Sequence, residues 1–100
     1  MPRNIKVSVP ARGTFIELTS GDIDELTFLN EGPDPVLLVG QAGDDLPTSS
    51  AIPSAMQYPA QRGEIGVSMA ELFPGVSGAN RVFATNSRDD RGSTVFVSHG

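Results

Sequence analysis

Turn-forming residues recur about every ten positions along this chain, and they leave room only for short elements of secondary structure. Eleven glycines and eight prolines are spread over the 100 residues rather than clustered. Between them, apolar and polar side chains alternate, as where Ile5, Val7 and Val9 alternate with Lys6 and Ser8. A period of two is typical of a half-buried strand, and no ten-residue stretch has a helical period. The chain is therefore predicted to be an all-β protein.

The same pattern predicts seven or eight short antiparallel strands. Besides the first, strand-like segments lie at residues 15–18, 26–29, 36–39, 55–58, 65–69, 81–85 and 94–98. Strands at this spacing are typical of a β-sandwich, a jelly roll or a small barrel, and residues 1–100 are long enough for a single domain. The uninterrupted apolar segment 36–39 is expected to be buried on both faces. The last two strands, joined by a polar loop at 86–93, are predicted to form a hairpin with a long exposed tip.

Two segments have a less regular pattern. Residues 68–73 could continue the preceding strand, in which Ile65 alternates with Val67 and Met69, or they could form one helical turn. In the second case Ser68 would be the N-cap and Glu71 would complete a capping box. Residues 43–54 show no apolar period, so they are the segment that we expect to be mobile.

The charge and the amino-acid composition exclude several classes of protein. Seven cationic side chains against twelve carboxylates give a net charge of -5, whereas a non-specific nucleic-acid binder needs a basic surface. The chain has no cysteine, so disulfides and cysteine-based metal sites are excluded. The longest apolar run, residues 36–39, is far shorter than the ~20 residues of a membrane span. Because the strand pattern begins directly after residues 1–4, we expect no signal peptide and therefore synthesis in a cytosol.

No motif in the sequence supplies catalytic chemistry. The single histidine, His99, is the penultimate residue and has no evident partner for a catalytic triad; we interpret it as a polar strand-end residue or an inter-subunit contact. Residues 75–79 resemble a nucleophile elbow, but Ala79 stands where the second glycine is required. The sequence therefore predicts that the protein is not an enzyme and has no catalytic residue or cofactor.

Acidic residues occur in three groups within the predicted loops: Asp22, Asp24 and Glu25; Asp44 and Asp45; and Asp89 and Asp90. None has the twelve-residue spacing, with its terminal glutamate, that a calcium-binding loop needs. We interpret all three as solvated turns, and we expect residues 88–91 to form local surface ion pairs. No metal site is predicted.

One pair of apolar residues falls at a break in the strand pattern. Leu72 and Phe73 precede Pro74 and Gly75, whereas the other five aromatic residues lie in or beside predicted strands. If they are exposed, Leu72, Phe73 and Pro74 would form an anchor for a protein partner. The alternative interpretation is that Phe73 fills the core.

The order of several segments resembles that of small structural proteins of tailed-bacteriophage particles. The segment from Leu26 to Val39 reads as a strand ending in Asn-Glu-Gly, a polar break, and then Pro-Val with an apolar strand. A proline-containing loop at 46–48, a turn at 58–60, and final strands at 81–84 and 94–98 follow in the same order. The resemblance covers nearly the whole chain.

That resemblance implies a non-enzymatic virion protein, foremost a capsid decoration (cement) protein on the outside of the head. Its implied partner is the major capsid protein, and its implied state is a homotrimer or another cyclic homo-oligomer, made in the host cytoplasm and located on the capsid surface. A tail, neck or head-fibre component is the alternative within the particle. A small carbohydrate-binding module is a third hypothesis, but tryptophan is absent and Tyr58 is the only tyrosine available to stack on a sugar.

Overall fold

Eight strands arise from the alternating segments. The computed structural model describes residues 3–43, 45–76 and 78–99. The strands are β1 (Arg3–Val9), β2 (Ile16–Glu17), β3 (Glu25–Asn30), β4 (Val36–Gln41), β5 (Met56–Tyr58), β6 (Gly63–Ser68), β7 (Arg81–Asn86) and β8 (Ser93–His99). A 3-10 helix at Ser49–Ser54, within the segment expected to be mobile, and a one-turn helix α1 at Met69–Leu72 complete the described elements. Asp44 lies outside the described residues.

The strands form two four-stranded antiparallel sheets. Sheet A has the order β1-β8-β3-β6, and sheet B has the order β2-β7-β4-β5. The first half of the chain pairs antiparallel with the second half, and this long two-stranded ribbon is folded so that its strand pairs alternate between the two sheets. The strand pairs are, in order, β1–β8, β2–β7, β3–β6 and β4–β5. This order is that of an eight-stranded jelly roll. The predicted all-β, single-domain sandwich is therefore confirmed.

The predicted hairpin between the last two strands is wrong. β7 lies between β2 and β4 in sheet B, whereas β8 lies between β1 and β3 in sheet A. The loop at 87–92 therefore crosses from one sheet to the other. Two strands joined by a polar loop have the same local sequence pattern whether they pair with each other or enter different sheets. The choice of sheet depends on pairing partners that are distant in the chain.

The core lies between the two sheets and is made by alternate residues of the strands. Each of the following side chains is at most 1% exposed: Leu26, Phe28, Val36, Leu38, Val82, Ala84, Val95 and Val97. Leu37 and Phe83 point to the opposite face of sheet B and are also buried, at 6% and 0% exposure. The prediction that residues 36–39 are covered on both faces is thus confirmed for β4, except that Val39 is only half-buried.

Residues 68–72 form the helical turn rather than a longer strand. The Glu71 N–H donates to Ser68 Oγ at 3.1 Å, and Ser68 Oγ donates to a Glu71 carboxylate oxygen at 2.9 Å. This contact between the N-cap and the third helical residue stabilises the first turn. The predicted role of Ser68 as an N-cap is confirmed.

Burial decides between the two interpretations of Leu72 and Phe73. Leu72 and Phe73 are each only 8% exposed and belong to the core cluster, whereas Pro74 is exposed. The Phe73 ring packs so closely over Gly40 that a Cβ at position 40 would overlap it. Phe73 therefore fills the core, as one of the two interpretations held, and the sequence left the choice open because the contact at Gly40 is 33 residues away.

Replacing Phe73 with alanine should destabilise the isolated domain. Loss of a buried aromatic ring leaves a cavity, and the expected decrease in the free energy of unfolding is about 3–5 kcal/mol. Denaturant titration of the free protein measures it. Val76→Ala is the matched control, because Val76 lies three residues further on and is 40% exposed. A loss below about 1 kcal/mol for Phe73→Ala would contradict the core assignment.

Candidate functional site

The two sheets differ in what covers their outer faces. On sheet B, Leu37 and Phe83 are buried on the side away from the main core. On sheet A the outward side chains of β3 and β6 include Leu29, which is 38% exposed, and Ile65, which is 92% exposed. The outer face of sheet A is therefore the one on which apolar side chains remain accessible to a partner.

Strand register places four residues in one row across this outer face. Lys6 lies opposite Phe96, Phe96 opposite Leu29, and Leu29 opposite Gly63. Residues directly opposite one another share a face of the sheet, and the flanking residues Val95 and Val97 of β8 point into the core. The row therefore faces away from the core.

A bulge in β6 directs Ile65 to the same face. Between the pairs Leu26–Val67 and Phe28–Glu64, β6 contains one residue more than β3. Gly66 adopts a left-handed conformation, with φ at 59°, and its N–H donates to the Thr27 hydroxyl at 2.9 Å. The extra residue inverts the alternation, so Ile65 leaves the core side while Val67 still packs against the core.

Sequence alternation alone groups Ile65 with Val67 and Met69, and it therefore misses this exposed side chain. The available signal was Gly66, because an isolated glycine within a strand pattern often marks a bulge. Leu29, Ile65 and Phe96, here called the sheet A surface, line a shallow groove of about 340 Å³. The sheet A surface is the candidate functional site.

Two polar contacts lie near the edges of sheet A. On the β1 side, the Lys6 ammonium lies 3.3 Å from a Glu31 carboxylate oxygen, and the Lys6 side chain is 67% exposed. On the β6 side, Tyr58 donates its hydroxyl proton to Glu64 at 2.6 Å. Burial, followed by this hydrogen bond, raises the pKa of Tyr58 to about 12. Because Glu64 is paired with Phe28, whose side chain is in the core, its carboxylate is held toward sheet B at the β6 edge.

A second polar cluster joins the loops at one end of the sandwich. Asp34, whose side chain is 8% exposed, accepts two hydrogen bonds from the Arg91 guanidinium, each at 2.7 Å. Asn86 donates to the Arg91 carbonyl at 2.8 Å, and Asn30 donates to the Asp34 carbonyl at 2.8 Å. These groups satisfy one another, so the cluster fastens the β3–β4 loop to the β7–β8 loop.

The ion pairs predicted within residues 88–91 are found in part. Arg88 and Asp90 form an exposed local pair, with Nη2 and Oδ2 2.8 Å apart. Arg91 instead binds Asp34, which lies 57 positions earlier in the chain. The local charge pattern could not reveal that partner.

The other sequence candidates do not converge on one site. His99 is 9% exposed, and its Nε2 accepts the Ser20 N–H at 3.1 Å. Among the described residues, no three metal-ligating side chains of the His, Cys, Asp and Glu types come together. Within residues 3–43, 45–76 and 78–99, no helix has the length and apolar character that a membrane crossing requires.

Comparisons with protein-family models, with curated proteins and with solved structures found no match. The structure by itself defines the fold class of the protein, which is an eight-stranded jelly-roll sandwich. A fold of this kind hosts many functions, so function must be argued from the exposed surfaces.

Replacing Asp34 with asparagine should lower the melting temperature at neutral pH more than Asp90→Asn does. The hydrogen bonds from Arg91 hold the pKa of Asp34 below its ordinary value of 3.8. A lowered folded-state pKa stabilises the fold above the unfolded pKa, and this contribution is lost as the pH falls through the lowered value. The difference between wild type and Asp34→Asn should therefore shrink below about pH 4. Thermal unfolding across pH measures it, and a difference that stays constant into acid would contradict the assignment.

Proposed function

We propose that this chain is a non-enzymatic structural protein of a tailed-bacteriophage particle, foremost a capsid decoration protein. It binds the outside of the major capsid protein lattice and stabilises the head. The observation that carries the proposal is the sheet A surface, where Ile65 is 92% exposed beside Leu29 and Phe96. The resemblance of the strand order to small virion proteins supplies the setting.

The energetics of the sheet A surface support an assembly role. Burying an isoleucine side chain fully contributes about 1.5–3 kcal/mol. That gain is small for one contact, but a shell repeats it at every equivalent position, and linked contacts reinforce one another. A side chain aimed at solvent by a bulge, on a rigid sheet, is suited to such a contact.

The sandwich also supports attachment from one side. The edge strands of sheet B are only two and three residues long, whereas β1 and β6 of sheet A have seven and six. Short edges resist pairing with other chains. Sheet A therefore offers both the longer edges and the apolar outer face, and it is this sheet that we assign to contacts within the particle, on the capsid surface.

Addition of the purified protein to empty heads built from the major capsid protein of its own phage tests the proposal. Bound protein should sediment with the heads in proportion to the number of capsid subunits, and the decorated heads should withstand heating better than bare heads. Binding of only a few copies at the tail vertex would instead support the tail or neck alternative. Absence of binding to any part of the particle would reject the proposed function.

Ile65→Ser should weaken attachment to heads by roughly 10-fold or more, since 1.4 kcal/mol corresponds to a factor of ten. The melting temperature of the free protein should stay unchanged, because Ile65 makes little contact with the core. Leu46→Ser is the matched control, as Leu46 is 60% exposed but is not part of the sheet A surface. Equal losses for the two variants would remove the sheet A surface from the proposal.

A further inference from the structure

We propose that Tyr58 and Glu64 are positioning residues, and that the hydrogen bond between them holds β6 in the register that exposes Ile65. The inference deepens the proposed function and rests on it for the role of Ile65 in attachment. In the alternative register of β6, Ile65 turns toward sheet B, and the sheet A surface loses its most exposed side chain. The test measures Ile65 in the free protein, so that this inference and the proposed function can fail separately.

A slip of one residue separates the two registers. In the structure, Ile65 and Gly66 together lie opposite Thr27. The next pair is Glu64 with Phe28, so Glu64 points toward sheet B. Without the bulge, Gly66 alone would lie opposite Thr27, and Ile65 would lie opposite Phe28 on the core side of sheet A. Glu64 would then turn to the outer face. We call the observed pairing the exposed register and the slipped pairing the hidden register.

The apolar pattern of the sequence favours the hidden register. Ile65 alternates with Val67 and Met69, and Val67 packs against the core. Burial of Ile65 beside them would remove a large apolar side chain from water. The strand also contains Gly63 and Gly66, and glycine-rich strands specify their register weakly. An additional interaction must therefore hold β6 in the exposed register.

The loop that precedes β6 favours the slip as well. Gln61 has a φ of 61° and is the one non-glycine residue with a positive φ in the part of the chain that the structure describes. This left-handed conformation is unfavourable for a residue with a Cβ. Removal of the bulge would pass one residue of β6 to the loop at 59–62, and a longer loop would not require the tight turn at Gln61. The exposed register therefore carries local strain.

The contact that opposes the slip is the hydrogen bond between Tyr58 and Glu64. Tyr58 lies on β5 in sheet B, and its hydroxyl donates to a Glu64 carboxylate oxygen at 2.6 Å. The Tyr58 ring packs edge-on against Phe28, with the ring centroids 4.8 Å apart. A carboxylate beside these two rings needs a hydrogen-bond donor, which the Tyr58 hydroxyl supplies. The bond forms only in the exposed register, since the slip turns Glu64 to the outer face.

The glycines of β6 permit the exposed register but do not select it. A Cβ at position 63 would overlap the Phe28 carbonyl oxygen, and Gly66 adopts its left-handed conformation without steric conflict. The bond from the Gly66 N–H to the Thr27 hydroxyl supports the same register. It joins two neutral groups, so it contributes less than the bond to the Glu64 carboxylate.

Tyr58→Phe tests the inference, because it removes the hydroxyl and keeps the ring. In the free variant, nuclear Overhauser contacts should appear between the Ile65 methyl groups and the ring at position 58, and hydroxyl-radical labelling of Ile65 should fall several-fold. Glu64→Ala, which removes the acceptor, should have the same effect. Glu64→Gln should keep Ile65 exposed, since its amide oxygen still accepts the Tyr58 proton. Asp90→Ala is the matched control, because it removes an exposed hydrogen bond from Arg88 in the β7–β8 loop.

Three results would overturn the inference. The first is Ile65 labelled as strongly in both Tyr58→Phe and Glu64→Ala as in wild type. The second is equal protection of Ile65 in Asp90→Ala, which would show a general loosening of the fold. The third is protection of Ile65 in Glu64→Gln as strong as in Glu64→Ala, because the hydrogen bond is then not what holds the register.

Attachment to heads separates the two proposals. If Tyr58→Phe hides Ile65 and heads bind this variant as tightly as wild type, the positioning role stands and the proposed function fails at the sheet A surface. If Ile65 stays exposed in Tyr58→Phe and heads bind the wild type in an Ile65-dependent manner, the proposed function stands and the positioning role fails.

Discussion

A sandwich of two sheets has two outer faces, and the described residues of this chain cover them unequally. The packing of sheet A on sheet B buries the inward residues of both, such as Phe28 and Val97 in sheet A and Leu38 and Val82 in sheet B. Leu37 and Phe83, on the far side of sheet B, are buried as well. Among the described residues no comparable cover lies over Leu29 and Ile65, so the outer face of sheet A keeps exposed apolar side chains.

The bulge in β6 adds the exposed Ile65 side chain to the outer face of sheet A. A regular β6 would turn Ile65 and Val67 to the same side and hide both against the core. The residue added at Ile65–Gly66 preserves the burial of Val67 and turns Ile65 outward. The left-handed Gly66, whose N–H is bound by Thr27, holds this conformation. A single backbone irregularity thus connects a glycine in the sequence with the candidate contact surface.

The features that the sequence predicted correctly are those that depend on residues close together in the chain. Alternation predicted the strands and the double burial of β4. The spacing of Ser68 and Glu71 indicated the helical turn as one of two alternatives. Each of these features is decided within a few positions of the chain. The predictions that failed, stayed open or were met only in part concern partners far apart in the chain. The separation of β7 from β8 depends on β2 and β1, the burial of Phe73 depends on Gly40, and the ion pair of Arg91 depends on Asp34. The candidate site was missed for a different reason: the exposed position of Ile65 requires the register of β6 against β3.

The proposed assembly role requires that a partner cover the sheet A surface. Hydroxyl-radical footprinting of the side chains, on free protein and on protein bound to particles, measures this most directly. We predict that Ile65, Leu29 and Phe96 lose reactivity on assembly while Leu46, which lies off this surface, keeps the reactivity that it has in the free protein. Unchanged reactivity of Ile65 in the particle, with protection confined to other segments, would contradict the account.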